Sequence, residues 1–295
     1  MSDLYDGHLE TQRLKWINYQ REELIAKNYG LTTLGAKDKV KKNDTIELYW
    51  DENELNFQLE SINSDNIIFI SNDYVILNKP AGIPSQPTLT LKHNDIISAL
   101  HKYNPSEFKL NQLFLVHRLD KETSGIMIIA RTKKFKTLIE NQFKEKKVFK
   151  MYDALCYGNI GEKKFTLDYS IQKNPNEKNA YFAIKNDKIT NNKSRSAMTR
   201  FELIKVYKSF NVSHLQCFPL TGRTHQIRVH LSAYGFPILG DKKYANNVIG
   251  HKSIGLALRH MLHASSIEFV ECSGKSVRYF CELPKDFKNC LDTIK

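Results

Sequence analysis

Apolar and polar positions along this chain change rhythm several times, and each change predicts an element. Near the start, TQRLKWINYQREELIAK spaces Leu14, Ile17 and Leu24 as a helix would, and Tyr29-Gly30 closes it. KDKVKKNDTIELYW then sets Asn43-Asp44 between a basic run and a short alternating strand, Thr45 to Trp50. The polar stretch DENELNFQ is the expected boundary, dividing a small unit at 1–58 from a large domain at 59–295. Beyond it strand patterns dominate. NIIFI and YVILN flank a turn at Ser71-Asn72-Asp73, and KPAGIPSQP has the prolines and glycine of a structured loop. Residues 95–103 read as a short helix capped by Asp95. FLV and IMIIA are strands on either side of a charged turn. Thr132 opens a helix whose stripe is Phe135, Leu138, Ile139, Gln142 and Phe143. VFKMYDALC, MTRFELIKVY, SHLQCFPL, IEFV and SVRYFCELP continue the strand pattern. Residues 158–196 suggest hairpin-like strands, with the Asn/Lys-rich 173–195 read as surface loop. Many strands and few short helices predict a mixed antiparallel α+β domain and not βαβ units.

Composition narrows the class. The chain has 295 residues, 41% hydrophobic and 11% aromatic, enough for a substantial core. Its 44 Lys and Arg against 32 Asp and Glu give a net charge of +12, which favours a polyanionic partner. Cys156, Cys217, Cys272, Cys281 and Cys290 lie far apart and are odd in number, which suits a reducing compartment. The acidic opening MSDLYDGHLE is unlike a signal or transit peptide, and no run of 18 apolar residues occurs. A cytoplasmic protein with no membrane partner is expected, acting as a monomer.

Two segments concentrate chemistry. In VHRLDKETSG, Asp120 follows the FLV strand where a turn can present a side chain to a cleft, and Arg118 stands two residues earlier. An ordinary polar turn with a local ion pair would look the same. In GRTHQIRVH, a strand would put Gln226, Arg228 and His230 on one face with Ile227 and Val229 on the core face. A helix is the other reading. Either way Arg228 stands beside apolar packing and needs a carboxylate partner, for which Asp120 is the natural candidate. Arg223 and His225 are suited to gripping phosphate, as is Lys79 before Pro80. Lys150 and Tyr152 alternate on one strand, and a tyrosine there could stack on a base. The alternative of a zinc site would draw on His117, His225, His230, His260 and His263, the last two three apart as on a helix face. Neither a GxxxxGK nor a GxGxxG pattern supports a nucleotide cofactor.

HRLDKETSG at 117–125 resembles the signature of the RluA-type family of RNA pseudouridine synthases. NKPAGIPSQ at 78–86, the Lys150, Tyr152 and Ala154 pattern, SAMT at 196–199, PLTGRTHQIRVHLSAYGFPILGD at 219–241 and RHMLHA at 259–264 agree in order. Together they cover roughly residues 65–285. The resemblance implies a central bent, mixed, mainly antiparallel sheet with a catalytic cleft. It implies isomerisation of uridine to pseudouridine in structured RNA, with neither cofactor nor metal. Asp120 then falls on the catalytic aspartate, Tyr152 on the tyrosine that stacks on the target base, and Arg228 on the aspartate's basic partner. Arg118 falls on the arginine that enters the RNA helix when the uridine flips out, and Ile227 packs near the base. The N-terminal unit resembles a degenerate S4 RNA-binding domain, with Asn43 where a glycine is usual. Such a unit points to large-subunit ribosomal RNA; without it a transfer RNA is an equal target. A non-catalytic RNA-binding or ribosome-assembly protein of the same fold is the competing class.

Overall fold

Two largely apolar runs form neighbouring strands near one end of a sheet. YVILNK becomes β2 (Tyr74–Lys79) and SGIMIIA becomes β4 (Ser124–Ala130), every residue of β4 being buried. They pair antiparallel from Tyr74↔Ala130 to Lys79↔Gly125. Burial on both faces is why these runs lack alternation. The computed structural model describes residues 61–87, 95–177, 179–185, 194–245 and 257–295. The chain divides into two compact units, Met1–Phe57 and Gln58–Lys295. The helix, strand and S4-like unit expected in the first lie outside the described residues.

The other elements are β1 (Ile67–Ile70), α1 (Ile96–Tyr103), β3 (Phe114–Leu115), α2 (Lys133–Lys144), β5 (Phe149–Tyr157), β6 (Lys164–Lys173), β7 (Tyr181–Lys185), β8 (Arg195–Tyr207) and β9 (Val212–Pro219). Next come α3 (Gln226–Tyr234), β10 (Leu262–Val270), β11 (Ser276–Phe280) and α4 (Lys285–Ile294). The sheet order is β1-β2-β4-β10-β5-β9-β8-β6-β7, with β3 on β4 and β11 on β10. All these pairings are antiparallel except β4 with β10. This is the expected α+β fold on a mixed, mainly antiparallel sheet. Among the described residues no helix is long and apolar enough to cross a membrane.

The expected helix caps form. Asp95 accepts from the backbone N–H groups of Ile97 and Ser98, and Thr132 from that of Phe135. Two expectations need correction. Strand β7 lies within 173–195, which read as loop; Tyr181 N–H donates to the Tyr244 hydroxyl at 3.0 Å, and β7 pairs with β6. Of the two readings open for GRTHQIRVH, the helix is the one that forms, from Gln226 onward, with Gln226 to Leu231 all buried and Gly235 ending it at φ +94°. His260 and His263 share no helix: His263 is in β10, and His260 lies just before it.

The parallel contact between β4 and β10 sets the position of the charged turn. Gly125, at φ +117°, pairs with Ala264, and a Cβ on it would sit 2.3 Å from the Ala264 carbonyl oxygen. Only glycine allows this approach. β10 then bulges between Ala264 and Ser266 and passes from β4 to β11 as its neighbour.

Candidate active site

The site is built on the turn that leads into β4. Thr123 N–H donates to the Asp120 carbonyl at 3.1 Å, closing the turn and projecting Asp120 from it. Two segments hold this turn. On one side, Ser85 Oγ donates to the Leu119 carbonyl at 2.6 Å and accepts from Leu119 N–H at 2.9 Å. Gly82 N–H meets the Lys121 carbonyl at 2.9 Å. On the other side, Arg259 donates to the Glu122 carbonyl at 2.9 Å and Ser124 Oγ at 3.1 Å, while Asp286 holds its guanidinium at 2.6 and 3.0 Å. His260 Nε2 meets Thr123 Oγ1 at 2.8 Å. The blocks at 78–86 and 259–264 are therefore the turn's supports.

Arg228 comes to Asp120 from α3. Its Nη1 donates to Asp120 Oδ2 at 2.8 Å, and its Nε and Nη2 grip Asp241 at 2.7 and 3.0 Å. Burial opposes charge on both partners of the inner pair. Their mutual hydrogen bonds and attraction more than offset it: Asp241 is held below the usual carboxylate range and Arg228 is held firmly protonated. Asp241 is fully buried, whereas the Asp120 side chain remains 24% exposed. The arrangement presents one carboxylate to solvent and reserves the other as anchor.

Tyr152, on β5, packs between the cluster containing Leu77, Ile83, Leu119 and Ala264 and the one containing Ala154, Cys217, Ile227 and Leu231. Burial, and secondarily the charge of Asp120, push its phenol well above the ordinary range, so it stays neutral. Ile227 is buried in the second of these clusters, one residue before Arg228 on α3. The structure thus brings Asp120, Arg228 and Tyr152 together, with Ile227 among the residues packing Tyr152.

The remaining expected residues divide. Arg118 is exposed, its Nη1 donating to Gln86 Oε1 at 3.2 Å, and Arg223 is exposed with Nε on the Ser196 carbonyl at 3.1 Å. Both can reach a polyanion. Lys150 is half-buried, 6.0 Å from the Phe143 ring centroid, and burial lowers its ammonium to about 8. Lys79 contradicts its expected role at phosphate. It is wholly buried, and its ammonium donates to the carbonyls of Pro80, Ile83 and Lys121 at 2.7, 2.9 and 3.0 Å. A buried ammonium needs such acceptors, and here they brace the turn that carries Asp120.

The five histidines weighed for zinc have separate partners. His117 Nε2 accepts from Ile128 N–H at 2.8 Å, and His230 bonds Thr199 at 3.1 Å. His263 meets Ser124 and Cys281, His260 meets Thr123, and His225 meets Tyr244. Among the described residues no group of three His, Cys, Asp or Glu side chains could hold a metal.

Asp241, Arg259 and Tyr244 carry no role in the sequence reading, and Gln226 only a place on a strand face. Gln226 accepts from Thr221 Oγ1 and Arg223 N–H, and donates to the Met198 carbonyl and Thr199 Oγ1, all within 3.0 Å. It fixes the entry to α3. A signal for Asp241 existed: a buried arginine with a five-donor fork seldom satisfies it on one carboxylate, and Asp241 ends the same motif block.

Residues 73–233 match the family described as RNA pseudouridylate synthase. A ribosomal large subunit pseudouridine synthase D of Borreliella burgdorferi is 28% identical over 97% of this chain and 86% of its own length. A ribosomal large subunit pseudouridine synthase C of Rickettsia conorii is 35% identical over 79% of this chain and 72% of its own. Among solved structures, human RNA pseudouridylate synthase domain containing 1 superposes with a TM-score of 0.62 at 26% identity. That match covers 76% of this chain and 86% of the human one.

Proposed function

This chain belongs to the RNA pseudouridine synthase family, and from that premise we propose that Asp120 performs the isomerisation on large-subunit ribosomal RNA. The observation that carries the reading is the partly exposed Asp120 carboxylate, bonded at 2.8 Å to an arginine that a second, buried aspartate holds in place. Uracil has to leave C1′ through N1, turn while still held, and rejoin C1′ through C5. One charged carboxylate serves, as nucleophile at C1′ or as base at C2′. A pair of carboxylates activating water would instead release the base.

Tyr152 supplies a neutral ring on which the detached uracil can stack and turn. Its position at the junction of two apolar clusters favours retention of the base over escape to water. A target inside a helix must be flipped out. In this reading exposed Arg118, two residues from Asp120, fills the vacated position, and Arg223 and Lys150 add positive charge for the RNA backbone.

Large-subunit ribosomal RNA is favoured because the bacterial relatives spanning most of this chain carry that substrate in their names. A degenerate S4-like unit at 1–58 would serve the same substrate. The enzyme is proposed as a cytoplasmic monomer; its five cysteines, none in a disulfide, suit that compartment. The test is to map pseudouridine across total RNA from cells lacking the protein, complemented with the wild-type or Asp120→Asn chain. Sites in large-subunit ribosomal RNA should vanish without the protein and return only with the wild type. Loss confined to transfer RNA would overturn the substrate assignment.

A further inference from the structure

Two nitrogen groups address the same oxygen of Asp120. Arg228 Nη1 lies 2.8 Å from Oδ2, and His225 Nε2 lies 3.9 Å from it. Among the described residues no hydrogen bond reaches Oδ1. A carboxylate held on one oxygen has its plane fixed and its other oxygen presented.

His225 is the residue before α3, at φ +55°, yet its side chain makes no bond to the helix end. Its Nδ1 instead meets the Tyr244 hydroxyl at 2.7 Å. That hydroxyl already accepts from the Tyr181 N–H at 3.0 Å, so its own hydrogen is available for His225 Nδ1. Burial holds the imidazole below its ordinary range, with Asp120 pulling it up and Arg228 pushing it down. A neutral ring accepting at Nδ1 carries its proton on Nε2, which faces Asp120.

Tyr244 belongs to the loop that starts at Asp241. Asp241 Oδ1 accepts from the Lys243 and Tyr244 N–H groups at 3.0 and 3.1 Å, and the Arg228 guanidinium lies 5.0 Å from the Tyr244 ring centroid. One short loop, Asp241 to Tyr244, therefore fastens both groups that face Asp120. The groups around His225 are Asp120, Arg228, Asp241, Lys243, Tyr244 and the Tyr181 ring, edge-on at 5.6 Å.

We propose that His225, fixed by Tyr244 as the Nε2–H tautomer, is a positioning residue that orients Asp120 and turns Oδ1 toward the ribose. The inference rests on Asp120 as the acting group. A closure of about 1 Å on the bound nucleotide brings the N–H within hydrogen-bond reach of Oδ2. A phosphate-gripping role for His225 fits less well, because its side chain is only 15% exposed and one ring nitrogen is engaged.

The test compares His225→Leu, His225→Gln, Tyr244→Phe, the His225→Leu/Tyr244→Phe double variant and Asp120→Asn in the full chain. Turnover is measured on a large-subunit ribosomal RNA transcript, with folding followed by circular dichroism melting. Leu and Gln suffer the same backbone strain at φ +55°, and only Gln restores an N–H donor near the Nε2 position. His225→Leu should lower kcat roughly tenfold, the loss of about one hydrogen bond to a charged group, with KM changed less than about twofold. His225→Gln should recover most of that loss. Tyr244→Phe should lower kcat in the same sense, and the double variant should be no worse than His225→Leu alone. Unchanged kcat, a rise in KM alone, no rescue by Gln, or additive losses would each overturn the proposal. Asp120→Asn separates the two claims. If it is inactive while His225→Leu is fully active, only the positioning role fails; if it is active, the Asp120 reading fails.

Discussion

Asp120 and Arg228 are 108 residues apart in the chain and 2.8 Å apart in space, and Asp241 holds the far side of the same guanidinium. The exposed carboxylate is therefore aimed by a buried ion pair and not by its own turn alone. A buried pair contributes little net stability, but breaking one leaves an uncompensated charge.

Arg228→Met should thus strand Asp241 in the core. It should lower unfolding stability by about 3–5 kcal/mol and remove most turnover. Arg228→Lys keeps the charge but cannot span both carboxylates with a fork, so it should regain more stability than activity. Urea unfolding and turnover of the two variants check this. Wild-type turnover in Arg228→Lys would contradict it.

Gly125 permits the contact that carries the turn. Gly125→Ala places a methyl group against the Ala264 backbone at a φ of +117°. The expected loss is at least about 1–3 kcal/mol of stability, together with reduced turnover as the turn shifts. Denaturant midpoints would detect it, and an unchanged midpoint would show that β4 and β10 can separate there at little cost.

Lys79 and the exposed arginines should part company under salt. Lys79→Met removes the ammonium from three carbonyls and should destabilise the fold by about 1–3 kcal/mol, leaving the salt dependence of RNA binding unchanged. Arg118→Ala and Arg223→Ala should each reduce the slope of log affinity against log salt by about one, with little effect on stability. Filter-binding titrations at several salt concentrations distinguish the two behaviours.

Acid should weaken the fold early. Burial holds His260 at about 3 and His230 and His263 at about 4, below the ordinary 6.5 of an unfolded histidine. The unfolded chain therefore binds more protons than the folded one between about pH 6.5 and 4. Stability is full above that window and falls as pH drops through it, by about 1.4 kcal/mol per pH unit for each histidine. Urea unfolding at pH 7, 6 and 5 measures the slope, and a flat result would mean these rings protonate in place.

Much of this was legible because the turn and helix signals are local. Asp95 and Thr132 cap their helices as read, and the strand runs around Asp120 stand where their patterns put them. GRTHQIRVH was ambiguous because its helix is buried all round, from Gln226 to Leu231, so no polar face marks the period. Lys79 misled because its charge suggests solvent, while the carbonyls that satisfy it come from a loop and from Lys121, far along the chain. Asp241 and Tyr244 gain meaning only once α3 folds back against the loop that follows it. The closing α4, Lys285–Ile294, escaped notice, although Asp286 on it anchors Arg259 and so the turn itself.

The central claim is that the Asp120 carboxylate drives isomerisation, and tritium release from C5-labelled uridine in a large-subunit ribosomal RNA transcript measures that directly. The purified wild-type chain should release tritium as C5 exchanges its hydrogen for the bond to C1′. Asp120→Asn, which removes one charge with little change in shape, should release none above background while still binding the transcript. Release at the wild-type rate by Asp120→Asn would contradict the account.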